Sequence, residues 1–300
     1  MSVLPQADPP PTPSAPYPAQ PGLPARLATW AQYLLPQHAL SALVRGLARM
    51  RQPALKDAVI DAFMRRYRID LAEAECRDPR AFESFNAFFT RALVPGARPL
   101  PPDPYTIASP VDGAISQIGR CGDGLILQAK SMHYTVEDLL ADAHLAREFK
   151  DAAYATLYLS PRDYHRIHMP VDGQLRDWWH VPGSLFAVNR AATHLIPRVF
   201  ARNERVVCVF DTRFGPMAVI LVGALFVGSM DTVWATGIGQ GPAPPAGQVD
   251  LARGAELGRF NMGSTVILLF QGPRIRWLPE LKPECTIRMG QALATASAAR

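Results

Sequence analysis

Beyond Pro99 the chain becomes short β-prone runs, at 114–119, 125–128, 154–159, 206–210, 217–226 and 266–270, broken by glycine, proline and aspartate. Turn signals at 121–124 and 214–216 separate them, so this part reads as a β-rich, mainly antiparallel domain. The chain before it has a different period. Leu40, Leu43, Val44 and Leu47 recur at helical spacing, and Leu55, Val59, Phe63 and Tyr67 repeat the pattern. The expected fold class is therefore α+β, with amphipathic helices ahead of a β-rich catalytic domain. Between the two, Asp78-Pro79 reads as a helix start and Gly96 as its stop, which would set Phe82, Phe85 and Phe89 on one core-facing side.

Three stretches follow from this texture. Residues 1–25 hold nine prolines and few apolar anchors, and read as a disordered tail. Residues 26–75 carry the helices; between Arg26 and Arg68 there are eight basic residues against two acidic ones. Such helices suit an anionic bilayer surface, where each Lys or Arg contributes on the order of 1 kcal/mol, or they simply cap the domain with a solvated face. Residues 76–300 form the catalytic domain. The stretch 237–247, rich in glycine and proline, reads as a mobile loop.

With 300 residues and a formal charge of +5, the chain has room for a sizeable core in one or two domains and favours anionic partners. Its four cysteines, Cys76, Cys121, Cys208 and Cys285, form no CxxC pair, which argues against a zinc ribbon or a disulfide framework and for a reducing cytoplasm. The amino terminus lacks the basic-then-apolar order of a secretory signal. The apolar run 217–230 is interrupted by Gly223 and Gly228 and falls short of the roughly 20 residues of a spanning helix.

The chemistry concentrates near the carboxy terminus, in Phe260-Asn-Met-Gly-Ser-Thr265. A serine directly after glycine can turn its hydroxyl on the carbonyl of its own preceding peptide bond, which glycine leaves open. That would make the Gly263–Ser264 amide an ester, and β-elimination followed by hydrolysis would leave a pyruvoyl group at a new amino terminus. By itself Gly263-Ser264-Thr265 is an ordinary start to a strand. Ser109-Pro-Val-Asp-Gly-Ala-Ile-Ser116 adds Asp112, which alone reads as a turn residue beside Gly113. Ser160-Pro-Arg-Asp-Tyr-His-Arg-Ile-His168 adds His165 and His168, which read equally as buried hydrogen-bonded histidines; no third ligand stands at metal-site spacing. The tetrapeptide Pro-Val-Asp-Gly occurs at 110–113 and again at 170–173, which hints at a duplicated unit.

These motifs occur in order with Phe85-Asn-Ala-Phe-Phe-Thr-Arg91, Pro182-Gly-Ser-Leu-Phe-Ala-Val-Asn189 and Phe200-Ala-Arg-Asn-Glu-Arg-Val-Val207. Together they make the chain, from about Trp30 to about Ala294, resemble phosphatidylserine decarboxylase of the bacterial, membrane-associated type. The resemblance implies self-cleavage into chains 1–263 and 264–300 that stay packed together, with Ser264 becoming the pyruvoyl group. It makes His168 the base that activates Ser264, with Asp112 holding the imidazole as in a serine triad. His165 is expected to serve the decarboxylation or reprotonation step and to face the same pocket. The implied substrate is phosphatidylserine in an anionic membrane, whose amine condenses with the pyruvoyl ketone, and the implied product is phosphatidylethanolamine. The enzyme would be peripheral on the cytoplasmic side of the cell membrane, a homodimer, with no nucleic-acid partner and no metal.

Met262 stands where this pattern favours leucine, a nearly volume-conserving change. Asp172, in the second Pro-Val-Asp-Gly copy, competes with Asp112 for the orienting role. Two other classes remain open on the residues alone: a serine hydrolase, weakened by the lack of a Gly-x-Ser-x-Gly elbow, and a basic membrane-binding module without activity.

Overall fold

The computed structural model describes residues 21–129, 132–226, 229–238, 247–262 and 265–297. The proline-rich stretch up to residue 20, most of the expected loop at 237–247, and Gly263 with Ser264 lie outside the described residues.

The run 266–270 is apolar at every position because its strand, Thr265–Phe270, is covered on both faces. Val266, Leu268 and Phe270 enter one core, and Ile267 and Leu269, pointing the other way, enter a second. The strand lies inside an eight-stranded antiparallel sheet, paired in register with Ala153–Tyr158 on one side and Gly215–Val222 on the other. Outward from these lie Gly113–Arg120 and Thr286–Ile287 on one flank, and Arg205–Thr212, Gly173–Val181 and Asp250–Leu251 on the other. A smaller sheet runs Ala235–Ile238, Met230–Thr232, Glu256–Phe260, Arg166–His168. Gly237 and Ile238, expected in the loop, thus end a strand, because Ile238 is buried opposite Met230 and the Gly237 N–H is held by Asp231 Oδ1 at 2.7 Å.

Both Pro-Val-Asp-Gly copies lead straight into a strand, at Gly113 and Gly173. The two are tied crosswise: the Ala108 N–H donates to the Pro170 carbonyl and the His168 N–H to the Pro110 carbonyl. Gly113 is required by close approach, since a Cβ there would sit 2.3 Å from the Tyr158 carbonyl oxygen.

Three helices precede the sheets: α1 (Leu23–Ala31), α2 (Gln37–Ala48) and α3 (Pro53–Tyr67). Helix α1 begins inside the stretch read as tail, its Pro24 sitting in the first turn where no N–H is needed. The single helix expected from Asp78 to Gly96 is instead a 3₁₀ turn, Pro79–Ala81, followed by α4 (Phe85–Phe89). Phe82 is extended, and Ser84 starts a new helix by accepting the Ala87 N–H at 3.1 Å. The phenylalanines do form core: Phe82, Phe85, Phe88 and Phe89 pack with Ile60 in a third cluster, and Phe63 of α3 joins with edge-on contacts. None of the described helices is long and apolar enough to cross a membrane.

Candidate active site

The strand Glu256–Phe260 carries the chain toward Gly263. It pairs antiparallel with Arg166–His168, placing His168 opposite Glu256, and the Phe260 N–H donates to the His165 carbonyl at 3.1 Å. Both expected histidines therefore border the segment entering the Gly263–Ser264 bond, and Thr265 resumes the chain in the large sheet. Gly263 and Ser264 themselves lie outside the described residues.

His168 ends the strand Arg166–His168, and His165 stands in the non-helical residues just before it. Their rings share no partner. His165 is fully buried and packs on Phe89, ring centroids 4.0 Å apart. Its Nδ1 lies 2.8 Å from the Asp163 carbonyl, which can only accept, so Nδ1 carries the hydrogen. Nε2 is then a bare lone pair, buried and without a hydrogen-bond partner among the described residues. Burial lowers its pKa to about 3, and the Arg91 cation also disfavours protonation, so the ring is neutral. His168 follows the same logic. Its Nδ1 donates to the Gly254 carbonyl at 2.8 Å, and its Nε2 accepts from the Tyr164 hydroxyl at 3.0 Å. Burial again lowers the pKa, partly offset by the Gly254 bond and the nearby Glu256 and Asp112 charges.

Asp112 faces elsewhere than the sequence suggests. Its carboxylate is forked by Arg98, with Nε–Oδ1 at 2.9 Å and Nη2–Oδ2 at 2.6 Å, and Oδ1 also accepts the Met289 N–H at 2.8 Å. The expected bond to His168 is absent from the described hydrogen bonds; a bidentate guanidinium is the stronger partner for a carboxylate. Asp172 holds the backbone N–H of Arg253 at 2.8 Å, next to the Gly254 carbonyl that fixes the His168 tautomer. It thus sets a support for the imidazole without touching it.

Asp112 lines a cavity of about 190 Å³ together with Glu73, Arg91, Arg98, Asp163 and Tyr164. Tyr164 bridges this cavity to His168, and burial pushes its phenol up to about 12, so it remains a donor. Asp163 has its pKa raised by burial despite two hydrogen bonds from Ser160. Tyr164, Asp163 and Arg98 carry no motif of their own in the sequence; the signal for the first two is that they immediately precede His165.

Between the two strands the backbone is strained. Met262 has φ +106°, a conformation that costs a non-glycine residue on the order of 1–3 kcal/mol. At the start of the next strand the Thr265 hydroxyl is fully buried and, like His165 Nε2, has no hydrogen-bond partner among the described residues. The Thr265 hydroxyl is a donor that a carbonyl oxygen could accept from, whereas the bare Nε2 of His165 can only accept and suits a group that gives up a proton.

Comparison with known proteins gives the family. The phosphatidylserine decarboxylase family model matches residues 85–295, and a second, described as PSD, matches 27–68. The chain belongs to the phosphatidylserine decarboxylase family. The phosphatidylserine decarboxylase proenzyme of Azotobacter vinelandii is 50% identical over 91% of this chain and 99% of its own length. Those of Ectopseudomonas mendocina and Methylococcus capsulatus are each 49% identical, over 90% and 91% of this chain and 98% of their own lengths.

Proposed function

We propose that this chain is a proenzyme that severs its own Gly263–Ser264 bond and then decarboxylates phosphatidylserine to phosphatidylethanolamine. The observation that carries the reading is the pairing of Arg166–His168 with Glu256–Phe260, which sets two neutral histidines along the strand entering that bond. In the cleavage, the Ser264 oxygen bonds to the Gly263 carbonyl carbon as the C–N bond breaks, and the hydroxyl proton passes to the freed amine. Loss of a Cα proton then breaks the Cβ–O bond of residue 264 and releases the Gly263 carboxylate. Water replaces the nitrogen of the resulting dehydroalanine, which leaves as ammonia.

His168, its Nδ1–H anchored on Gly254, takes the Ser264 proton at Nε2 once Tyr164 yields that position. Asp112 belongs to the same constellation through the cavity it shares with Tyr164; to touch the imidazole it must leave the Arg98 fork. The pyruvoyl group at residue 264 supplies a ketone that binds the substrate amine and an amide carbonyl that accepts electrons. His165 would hold or return a proton in the decarboxylation; its neutral, buried Nε2, without a hydrogen-bond partner among the described residues, supports that role.

The lipid substrate fits the outer surface of the helices. Helix α2 buries Ser41 and Ala48 and turns Leu43 (60% exposed) and Leu47 (53%) outward; Leu27 and Leu34 are likewise exposed. The inward contacts include polar ones, Gln32 and Gln37 accepting backbone N–H groups of Ala187 and Leu185. An apolar face turned outward among arginines suits an anionic phospholipid surface, on which the enzyme sits peripherally.

Intact-mass measurement with carbonyl labelling tests the reaction. The expected result is a fragment spanning 264–300 with a blocked, carbonyl-bearing amino terminus. Active material made of one uncut chain with serine at 264 would overturn it.

A further inference from the structure

The segment just ahead of the scissile bond is held from several directions. Asn261, 3% exposed, donates from Nδ2 to Ser229 Oγ and to Asp231 Oδ2, both at 2.9 Å. Its Oδ1 accepts from Asn86 Nδ2 at 3.0 Å, and its backbone N–H donates to the Ser229 carbonyl at 3.0 Å. The Asp231 carboxylate accepts only, which dictates the amide atom facing it and fixes the orientation of the whole side chain. Asp231 is itself tied down by the Gly237 N–H, and Ser229 Oγ receives Arg49 from the α2 C-cap at 3.3 Å. The next residue, Met262, packs its side chain against the phenylalanine cluster of α3 and α4 while its backbone stands at φ +106°.

Sheet formation does not call for this arrangement. Strand pairing with Met230–Thr232 ends at Phe260 and one further backbone bond, Asn261 N–H to the Ser229 carbonyl, closes it, so the two residues before Gly263 need neither a buried amide side chain with three hydrogen bonds nor a methionine at positive φ. Both devices act on the peptide leading into Gly263. Asn261 anchors that peptide to the small sheet and to α4, and Met262 is pulled toward the aromatic cluster, so the strain falls between two fixed points.

We propose that Asn261 is a positioning residue for self-cleavage. By pinning the chain ahead of Met262 it holds the strained backbone of that residue, which leads into the bond to be cut. Cleavage frees the end at Gly263 and releases that constraint, so the mature enzyme no longer depends on it. This inference rests on the self-cleavage reading above.

The test follows conversion of the freshly made full chain into its two fragments by intact mass, for wild type, Asn261→Ala and Asn86→Ala. Lyase turnover is then measured per carbonyl-bearing chain. The expected result is conversion slowed about tenfold or more by Asn261→Ala and about threefold by Asn86→Ala, with turnover per carbonyl within twofold of wild type. Asn86→Ala removes one donor from a half-buried side chain and keeps the test open if Asn261→Ala fails to fold. Wild-type conversion rates in the folded variants would overturn this inference alone, as would a parallel fall in conversion and turnover, the mark of a merely structural amide. A wild-type chain that stays whole would overturn the self-cleavage reading and this inference with it.

Discussion

The Nδ1–H of His168 donates to the Gly254 carbonyl at 2.8 Å, and that bond decides which ring nitrogen can act as a base. Only Nε2 keeps a lone pair, and among the described residues the Tyr164 hydroxyl occupies it. Replacing His168 with Gln removes the proton acceptor at that place, so self-cleavage should slow about 10²–10⁴-fold. His165→Gln should behave differently: fragments still form, while carbon dioxide release per carbonyl-bearing chain falls at least tenfold. Equal loss of both activities in His165→Gln would contradict the separation of roles.

Acid should destabilise the protein through the same histidines. His165 titrates at about 3 in the folded chain against an ordinary 6.5, because burial penalises the imidazolium. The unfolded chain takes up a proton as pH falls below about 6.5, and the native chain does not until about 3. This contribution to stability is therefore complete above pH 6.5 and is lost progressively down to pH 3. His168, also lowered by burial, acts in the same direction. Urea midpoints at pH 7 and pH 5 should converge in His165→Gln relative to wild type.

Arg98 and Asp112 form a nearly buried bidentate pair, their side chains 9% and 13% exposed. Arg98→Ala leaves Asp112 with the Met289 N–H as its remaining described partner, and should cost about 3–5 kcal/mol in denaturant unfolding. Arg98→Lys should recover only part of that, since an ammonium cannot make the fork. If Arg98 restrains Asp112 from reaching the imidazole, the slow step of cleavage should also quicken in whatever fraction of Arg98→Ala remains folded.

The α+β architecture and the central strand were legible because a five-residue apolar run, 266–270, has few ways to be buried other than as a strand covered on both faces. The phenylalanines at 82, 85 and 89 announced a core but not its shape. Their spacing fits one helix, and only the Ser84 hydroxyl, taking the Ala87 N–H, breaks it in two. At the site, the order of motifs brought Asp112, His165 and His168 forward, and strand pairing sets both histidines beside the segment entering residue 263. The partners of Asp112 were illegible, since Arg98 belongs to no chemical motif and meets the carboxylate only through tertiary packing. Asn261 was equally silent: one amide in the sequence carries no sign that Asn86, Ser229 and Asp231 converge on it.

Helix α2 offers the last prediction, because its buried positions are Ser41 and Ala48 while Leu43 and Leu47 face outward. In a helix that only caps a domain the large apolar residues would be inside. Here they are free to enter a lipid surface, and Arg45 and Arg49 lie on the same helix or its cap. Replacing Leu43 and Leu47 together with Ser removes exposed apolar surface without opening a cavity, so unfolding free energy should change by about 0.5 kcal/mol or less per site. Binding to vesicles containing phosphatidylserine should nevertheless weaken at least tenfold in a flotation assay, and KM for vesicle substrate should rise. Self-cleavage should keep its wild-type rate. Unchanged vesicle binding in this double variant would remove α2 from the membrane contact and leave it an ordinary cap.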